Sequence, residues 1–438
     1  MKFGTDGVRG VAYEELTIEF AARLARAASR VLGADGASTV VIGGDTREST
    51  DDFADALTDG FVESGLDVIR LGVVPTPTVA FEAQRLGAIG AVVSASHNPF
   101  HDNGIKLFAA GGTKLPDDVQ AEIEAELESP SDARSTAAGS VVAASDVGAY
   151  SDHVLSLLEG RDLTGLKVVL DTANGAAVGL AADVLRAAGA GVIVIADEPD
   201  GRNINADCGA THPETVAAAV LQHGADVGIA LDGDADRLIA VDHRGEVVDG
   251  DHVIAICADD LRARGRLAHD TVVVTVMTNL GFRLAMQQAG IEVVETGVGD
   301  RYVLEALADG GYSLGGEQSG HIIFADHATT GDGLLSAIAL LDIVKRTGRP
   351  LAEIAAAAMT SLPQVLVNVK VGEKVPDVAE LLADDIARVE HSLGETGRVL
   401  VRASGTEPLI RVMVEAATAS DARSAADDLA AIARNRFA

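Results

Sequence analysis

The sequence predicts an α/β protein of four domains, the last of them a smaller α+β domain. Three observations predict this fold class. The chain has 438 residues, more than one hydrophobic core usually organises. Short runs of Val, Ile and Leu alternate with Ala- and Leu-rich amphipathic stretches over most of its length. The C-terminal part follows a different order of elements.

The alternating pattern is clearest in three separate places. In each, an apolar run typical of a buried strand precedes a helical stretch. The pairs are 39–42 before 49–64, 166–170 before 176–188, and 271–276 before 280–289. Each pair predicts the start of an α/β layer, and their similar order suggests a repeated unit.

Polar stretches that contain Gly, Ser or Pro predict the boundaries between domains. They lie near 129–148, 242–251 and 361–364. The last domain should combine strands and helices, because VLVNVKV, a helical stretch through Glu390, GRVLVRASG, PLIRVMVE and an Ala-rich helix follow one another. The predicted domains are 1–150, 151–250, 251–363 and 364–438.

The chain is strongly acidic, with 66 Asp and Glu residues, 34 Lys and Arg residues and a formal charge of −32. This charge argues against nucleic acid or an anionic membrane as a partner. A small phosphate ester is still compatible, because salt screens the repulsion beyond roughly 8 to 10 Å. Cys208 and Cys257 are too few for a disulfide framework or a zinc site and are expected to be buried. Without a signal segment or membrane span in the sequence, a cytoplasmic protein is expected.

The stretch AVVSASHNPFHDNGIKLF, residues 91–108, places polar side chains where a predicted strand ends. Ligands of α/β proteins bind at the carboxyl ends of strands, so Ser96 and His97 are candidates for a site. Ser96 is either a nucleophile or phosphate carrier, or it makes turn hydrogen bonds together with Ser94. Lys106, on the next strand, is either a phosphate-binding amine or a solvated charge.

The stretch IALDGDADRLIAV, residues 229–241, presents Asp232, Asp234 and Asp236 between two apolar runs and just before Arg237. The small residues between the aspartates let three carboxylates surround one hard cation, Mg²⁺ or Ca²⁺. An EF-hand is excluded, because no Glu follows at the required position. An acidic chain also produces this spacing by chance, but the apolar flanks favour a metal site over a solvated face.

Further stretches carry groups that bind sugars or phosphates, although ordinary turn chemistry explains them too. SLGGEQSGHIIF, residues 313–324, offers a carboxylate, a hydroxyl and an imidazole, which suit sugar hydroxyls or acid–base chemistry. VRASGTEPLIRVMVE, residues 401–415, offers guanidiniums, hydroxyls and backbone amides, which suit a phosphate. FGTDGVRG and VGDRYV add basic groups. The candidates are Glu317, Ser319, His321, Arg402, Ser404, Gly405, Thr406, Arg411, Arg9 and Arg301.

Together these stretches resemble the α-D-phosphohexomutase superfamily. FGTDGVRG, SASHNP, DGDADR, GEQSGH and RASGTEPLIRVM follow the order of that family and span residues 3–413. The resemblance implies a four-domain heart-shaped architecture, with three similar α/β domains with mixed sheets, a smaller C-terminal α+β domain and a site in the central cleft. GEQSGH, VGDRYV, NINADCGATHPE and SGTEPLIRVM are most similar to the branch that acts on glucosamine phosphates.

The resemblance implies an isomerase that interconverts glucosamine 6-phosphate and glucosamine 1-phosphate. By position, Ser96 resembles the serine that carries the phosphoryl group. Together with Asp232, Asp234 and Asp236 it resembles the ligand set of one Mg²⁺ ion. A hexose 1,6-bisphosphate is the implied intermediate and activator, and the implied pathway is the synthesis of UDP-N-acetylglucosamine for peptidoglycan.

The other candidates resemble two further groups of family residues. Residues that bind the substrate are implied to be Glu317, Ser319, Arg301, Arg402, Ser404, Gly405, Thr406 and Arg411. Residues near the reacting atoms, one of them the general base, are implied to be Arg9, His97, Lys106, Arg237 and His321. The fourth domain is expected to move about a hinge near 361–364, because one loop must hold either phosphate and then release the intermediate.

The expected partner is a small-molecule sugar phosphate, with no nucleic acid and no membrane. A homodimer is left open, as is the kinase or autophosphorylation that first primes Ser96. The alternatives are a phosphoglucomutase or phosphomannomutase of the same family, a phosphatase with Asp232 as nucleophile, and a catalytically silent sugar-phosphate sensor. The phosphatase leaves the loops of Ser96 and Arg402 unexplained, and the intact serine, aspartates and histidine speak against the sensor.

Overall fold

The structure is a computed structural model that describes residues 2–4, 6–33, 36–129, 138–143, 148–404 and 408–437. The chain divides into two compact units, Met1–Val276 with Glu292–Ala355 and Met277–Ile291 with Ala356–Ala438. Among the helices of the described residues, none is both long enough and apolar enough to cross a membrane.

The N-terminal part of the first unit is built on a mixed sheet. Its elements are β1 (Val8–Val11), α1 (Ile18–Leu32), β2 (Thr39–Gly44), α2 (Thr50–Glu63), β3 (Asp67–Val73), α3 (Thr76–Leu86), β4 (Ile89–Val93), β5 (Asp102–Phe108), α4 (Asp117–Glu128) and β6 (Val141–Ala143). The strand order is β1-β5-β4-β2-β3-β6, with β4, β2, β3 and β6 parallel. The carboxyl ends of β2 and β4 therefore lie side by side.

A second mixed sheet follows in the same unit. Its elements are α5 (Gly148–Ser156), β7 (Lys167–Asp171), α6 (Leu180–Ala187), β8 (Gly191–Ile195), α7 (Pro213–His223), β9 (Val227–Leu231), β10 (Leu238–Asp242) and β11 (Val247–Val248). The strand order is β11-β10-β9-β7-β8, and β9 and β10 are antiparallel. The aspartate-rich loop is thus the turn between two strands that are buried at every position.

The third sheet has the strand order β13-β12-β14-β15. The elements of this part of the chain are α8 (Gly250–Ala263), β12 (Thr271–Thr275), α9 (Leu280–Ala289), β13 (Glu292–Thr296), α10 (Asp300–Gly310), β14 (Leu314–Gly316), β15 (Ile322–Phe324), α11 (Gly333–Thr347) and α12 (Leu351–Ala358). Helix α9 belongs to the second unit, as does the end of α12. The turn between β14 and β15 carries the predicted sugar loop.

The second unit contains an antiparallel sheet in the order β16-β18-β17. Besides α9, its elements are β16 (Gln364–Lys370), α13 (Val378–Leu381), α14 (Ala383–Leu393), β17 (Arg398–Ala403), β18 (Leu409–Glu415) and α15 (Ala419–Phe437). Alternate residues of these strands pack on the helices in one apolar core. This confirms the small α+β domain that the sequence predicts.

Local sequence signals explain where several helices begin and end. Asp249, Asn279 and Asp332 precede α8, α9 and α11, and each side chain accepts a hydrogen bond from a backbone N–H of the first turn. Gly87 and Gly348 end α3 and α11 in the left-handed conformation that favours glycine. The three predicted strand–helix pairs correspond within a few residues to β2 and α2, β7 and α6, and β12 and α9. Of these three helices, α9 begins with one of the caps named here.

Two sequence expectations have a clear outcome in the fold. Cys208 and Cys257 are buried, unbridged side chains, as expected. The stretch 129–148, which the sequence assigns to a polar boundary, contains strand β6, whose pairing with β3 extends the first sheet. Two valines within a polar stretch are too short an apolar run to predict a strand. Residues 130–137 and 144–147 of that stretch lie outside the described residues.

Candidate active site

The serine loop follows β4 and delivers a buried hydroxyl. Ser96 adopts φ of 52°, in the left-handed region that non-glycine residues rarely occupy. Its N–H donates to Ser94 Oγ at 2.9 Å. Its own Oγ donates to Asp232 Oδ2 at 2.6 Å, so the structure brings together two residues 136 positions apart in the sequence. The serine hydroxyl and the aspartate-rich loop therefore form one site.

The loop of Asp232, Asp234 and Asp236 has the properties of a cation site. Oxygens of the three buried carboxylates lie within 4.8 Å of one another. Asp234 Oδ1 and Asp236 Oδ1 are buried and have no hydrogen-bond partner among the described residues. Burial, together with repulsion from Asp236 and Asp234, raises the pKa of Asp232 to about 8. The mutual repulsion of the clustered carboxylates and the two oxygens fit a divalent cation held by oxygen ligands.

Gly233 allows the serine and aspartate loops to approach. A Cβ atom there would lie 2.5 Å from the Ser96 carbonyl oxygen and 2.7 Å from Asn205 Nδ2. Glycine is therefore required for the contact between the two loops, and any side chain would push them apart.

Lys106 lies at the centre of the carboxylate cluster. Its Nζ is 2.7 Å from both Asp234 Oδ2 and Asp6 Oδ2 and 3.1 Å from Asp236 Oδ2. Burial opposes its charge, but these carboxylates outweigh it and hold the pKa of Lys106 well above its usual range. The predicted surface alternative for this lysine is wrong, because it is a buried cation. Asp6 Oδ2 also pairs with Arg9, whose Nη2 lies 2.7 Å away.

A second charge cluster connects the first and third sheets. Asp300 accepts from Lys114, whose Nζ also lies 2.5 Å from Asp6 Oδ1. Asp300 Oδ2 lies 3.4 Å from His321 Nε2, and the other ring nitrogen, Nδ1, lies 3.6 Å from Asp236 Oδ1. His321 is thus fixed between two carboxylates at the edge of the aspartate loop.

His97 lies beside Ser96, and Arg237 contacts Asp232. His97 Nδ1 is 3.4 Å from Ser96 Oγ. Burial, with the charges of Arg237 and Arg9, lowers the pKa of His97 to about 4, so its imidazole is neutral near pH 7. The backbone N–H of Arg237 donates to Asp232 Oδ1 at 3.1 Å, and its Nε lies 3.8 Å from Asp236 Oδ1.

The predicted sugar loop turns between β14 and β15. Glu317 Oε1 accepts from the N–H of Gly299 at 3.2 Å, and Ser319 Oγ lies 3.5 Å from Glu317 Oε2. Glu317 is half-buried and Ser319 is exposed, so both can reach a ligand. Arg301, also predicted to bind substrate, pairs with Asp117, and its guanidinium lies over the ring of Tyr302.

The second unit holds the other predicted basic groups. Arg402 on β17 lies directly opposite Arg411 on β18, with both side chains half-buried. Like charges in this position repel, and burial together with Arg411 lowers the pKa of Arg402. Arg411 Nε is buried without a hydrogen-bond partner in the described part of the chain. Two such guanidiniums fit a bound anion. Ser404 is buried beside them, whereas Gly405 and Thr406 lie outside the described residues.

The structure adds residues that sequence reasoning missed. Asp45 and Arg47 follow β2 and contact the serine loop, and Asn205 reaches the same loop from the second sheet. GGDTREST, residues 43–50, has the same pattern of an apolar strand ending in polar residues that drew attention to Ser96, and so the signal for Asp45 and Arg47 was present. Asn205 lies in an irregular loop and has no such signal.

The fold and the site define a multidomain α/β protein with a buried serine set against a three-carboxylate cation site. Comparison with family models then assigns the chain. Phosphoglucomutase/phosphomannomutase α/β/α domains I, II and III match residues 1–134, 148–245 and 249–362, and the C-terminal domain of that family matches residues 366–432. The chain belongs to the phosphoglucomutase/phosphomannomutase family.

Individual relatives agree with this assignment. A protein of Frankia alni named phosphoglucosamine mutase is 54% identical over 446 residues, which cover 99% of this chain and 98% of the relative. A phosphoglucomutase/phosphomannomutase family protein from Burkholderia thailandensis is similar in structure, with a TM-score of 0.84, 25% identity and coverage of 99% and 97%. An Aspergillus fumigatus N-acetylphosphoglucosamine mutase in complex with GlcNAc-6P and magnesium has a TM-score of 0.71, 19% identity and coverage of 100% and 96%, which shows a shared fold.

Proposed function

We propose that the chain interconverts glucosamine 6-phosphate and glucosamine 1-phosphate, and that Ser96 carries the phosphoryl group. The observation that carries the proposal is the contact of Ser96 Oγ with Asp232 inside a buried aspartate cluster, 2.6 Å long. The 54% identity to a relative named phosphoglucosamine mutase supports the choice of sugar. A phosphatase with Asp232 as nucleophile is disfavoured, because the carboxylate of Asp232 accepts a hydrogen bond from the serine hydroxyl.

In the first half-reaction the phosphoserine donates to the sugar. The bond between Ser96 Oγ and phosphorus breaks as O1 of glucosamine 6-phosphate bonds to the phosphorus, which forms the 1,6-bisphosphate. The O1 proton passes to a base in the site, and Ser96 Oγ takes up a proton as it leaves the phosphorus. His97 is proposed to exchange the proton of this serine oxygen, since its imidazole is neutral and Nδ1 is 3.4 Å from Ser96 Oγ. The ammonium of Lys106, held by three carboxylates, instead offsets charge on the transferring oxygens.

In the second half-reaction the bisphosphate binds in the reversed orientation. Ser96 Oγ loses its proton and bonds to the phosphorus, the bond between O6 and phosphorus breaks, and O6 takes up a proton as glucosamine 1-phosphate leaves. Arg402, Ser404, Gly405, Thr406 and Arg411 are proposed to hold whichever phosphate is not reacting. The adjacent guanidiniums of Arg402 and Arg411 support this role, because a bound anion would relieve their repulsion.

The cation proposed for Asp232, Asp234 and Asp236 is Mg²⁺, with an oxygen of the phosphoserine as a further ligand. When bound, it would neutralise charge on the phosphoryl oxygens and favour transfer of the phosphoryl group from the serine. Two observations support a divalent ion. Asp234 Oδ1 and Asp236 Oδ1 are buried without a hydrogen-bond partner among the described residues, and the pKa of Asp232 is raised. The choice of Mg²⁺ over Ca²⁺ is supported by the Aspergillus fumigatus N-acetylphosphoglucosamine mutase, whose structure is a complex with GlcNAc-6P and magnesium.

The remaining proposed roles concern sugar binding and charge. Glu317 and Ser319 are proposed to hydrogen-bond the sugar hydroxyls, because one is half-buried and the other exposed on a short turn. Arg301 is proposed to release its ion pair with Asp117 and to bind the substrate. Arg9, Arg237 and His321 are proposed to surround the reacting phosphate. The proposed domains, with the hinge near 361–364, are 1–150, 151–250, 251–363 and 364–438.

The test is ³¹P NMR of the purified protein with Mg²⁺, a trace of glucose 1,6-bisphosphate and one hexose 6-phosphate at a time. We expect an anomeric phosphate signal to grow fastest with glucosamine 6-phosphate and without inorganic phosphate. Faster conversion of glucose or mannose 6-phosphate would make the chain a phosphoglucomutase or phosphomannomutase. Release of inorganic phosphate would favour a phosphatase, and no conversion at all would contradict the proposed activity.

A further inference from the structure

We propose that Asp45, Arg47 and Asn205 form a clamp that positions Ser96 for phosphoryl transfer. This inference rests on the proposed function, since it assigns a positioning role within the same site. The clamp acts on the backbone of the serine loop and leaves the serine hydroxyl free to face Asp232.

The clamp holds both the backbone N–H and the backbone carbonyl of Ser96. The N–H of Ser96 donates to Ser94 Oγ at 2.9 Å, and Ser94 Oγ donates to Asp45 Oδ2 at 2.5 Å. On the other side, the carbonyl oxygen of Ser96 accepts from Arg47 Nη2 at 3.0 Å. Asp45 and Arg47 are separated by one residue and pair with each other at 3.0 Å. A single short loop after β2 therefore fixes Ser96 from both directions.

The hydrogen bonds of the Arg47 guanidinium point to geometry as its role. It donates to three carbonyl oxygens of the loop, those of Ser96 at 3.0 Å, Asn98 at 2.9 Å and Pro99 at 3.2 Å. Both side chains of the Asp45–Arg47 pair are completely buried. Such a pair is weak evidence for stability, because desolvation offsets its attraction. Its hydrogen bonds instead specify the path of the loop.

Asn205 adds a contact from the second sheet. Its Nδ2 donates to the carbonyl oxygens of Ser96 at 2.9 Å and Asn98 at 3.1 Å, the same two oxygens that Arg47 Nη2 contacts. Asn205 also lies next to Gly233, on which the serine loop packs. The clamp thus connects the loop that carries the hydroxyl to the loop that carries the aspartates.

The site requires such a clamp for two reasons. A non-glycine residue stays in the strained left-handed region only where its surroundings fix it, and Ser96 has φ of 52°. A phosphoserine would also face Asp232, Asp234 and Asp236, whose charges repel it. In-line transfer depends strongly on position, and a displacement of about 1 Å can lower the rate about 100-fold.

Arg47→Lys tests the clamp without removing its charge. Lysine can still pair with Asp45, but it lacks the planar fork that contacts several carbonyl oxygens. We expect kcat to fall about 100-fold, with little change in the KM of glucosamine 6-phosphate, because the loop moves while the substrate contacts remain. Asn205→Ala removes one part of the clamp and should lower kcat less.

Amide hydrogen exchange of the loop supplies a readout that needs no substrate. Residues 94–99 should exchange faster in both variants than in the wild type, with the rest of the first unit unchanged. Arg70→Ala is the matched control. Arg70 lies on the neighbouring strand β3 and contacts Asp55 and Thr58, so kcat and loop exchange should stay at wild-type values.

Wild-type kcat or wild-type loop exchange in Arg47→Lys would overturn the proposal. A raised KM with unchanged kcat would also overturn it, since that result indicates substrate binding. If Arg47→Lys does not fold, the same two measurements on Asn205→Ala decide. A wild-type protein that converts no hexose phosphate would refute the proposed function, whereas slow exchange of its serine loop would still show that the clamp holds the backbone.

Discussion

Gly233→Ala should separate the two halves of the site and lower turnover about 100-fold, the effect expected of a displacement near 1 Å. The added Cβ would lie 2.5 Å from the Ser96 carbonyl oxygen, and ordinary contact begins at 3.4 Å. The serine and aspartate loops must therefore move apart by about 0.9 Å. Gly233 does not have a left-handed φ, so alanine adds this contact without backbone strain.

The assay compares kcat, KM and Tm of Gly233→Ala with those of Gly191→Ala. Gly191 lies on β8 of the same sheet, and its added Cβ would approach only Leu166 O, at 3.5 Å. Overpacking at Gly233 should reduce stability by about 1 to 3 kcal/mol, so the folded fraction is measured for each variant. Equal kcat values for the two variants and the wild type would show that the loops need not touch for transfer, which would refute the reasoning.

Four further predictions concern the phosphoryl carrier, the anion site, the cation site and a buried carboxyl group. Ser96→Ala should abolish turnover but still bind glucosamine 6-phosphate in calorimetry, because only the phosphoryl carrier is lost; wild-type activity in this variant would exclude Ser96 as the carrier. Arg402→Ala should raise the KM, since one of two adjacent guanidiniums is removed, and an unchanged KM and kcat would contradict its role. Chelation of divalent cations should lower the Tm and added Mg²⁺ should restore it, because repulsion within the aspartate triad returns without a cation; a Tm that responds to neither would argue against the site. Burial raises the pKa of Asp332 to about 6, so the folded protein holds this proton more tightly than the unfolded chain. The free energy of unfolding should then fall by roughly 3 kcal/mol as the pH rises from about 4 to about 6; Asp332→Asn should flatten this change in urea titrations, and an undiminished slope would assign it to other groups.

The main parts of the site could be predicted because each is local in sequence. Ser96 and the three aspartates follow apolar strands directly, and the carboxyl ends of strands are where α/β proteins bind ligands. The contact between Ser96 and Asp232 could not be derived from spacing, since it joins two sheets over 136 positions. The resemblance to a family supplied that connection.

The supporting residues depend on the tertiary fold. Arg47 meets the serine loop because β2 and β4 are parallel neighbours, which periodicity alone does not reveal. Lys106 has the pattern of an ordinary strand residue, and only the fold surrounds it with Asp6, Asp234 and Asp236. Strand β6 was missed for a related reason, because its three residues gain their partner, β3, from a distant part of the chain.

The central claim is that the phosphoryl group on Ser96 passes to the sugar. The most direct measurement uses enzyme labelled with ³²P at Ser96, mixed with glucosamine 6-phosphate and Mg²⁺ for a single turnover. The label should leave the protein, appear first in the sugar bisphosphate and then in the phosphate of glucosamine 1-phosphate, and in Ser96→Ala no label should be incorporated at the outset. Release of the label as inorganic phosphate, or its retention on the protein while glucosamine 1-phosphate forms, would contradict the account.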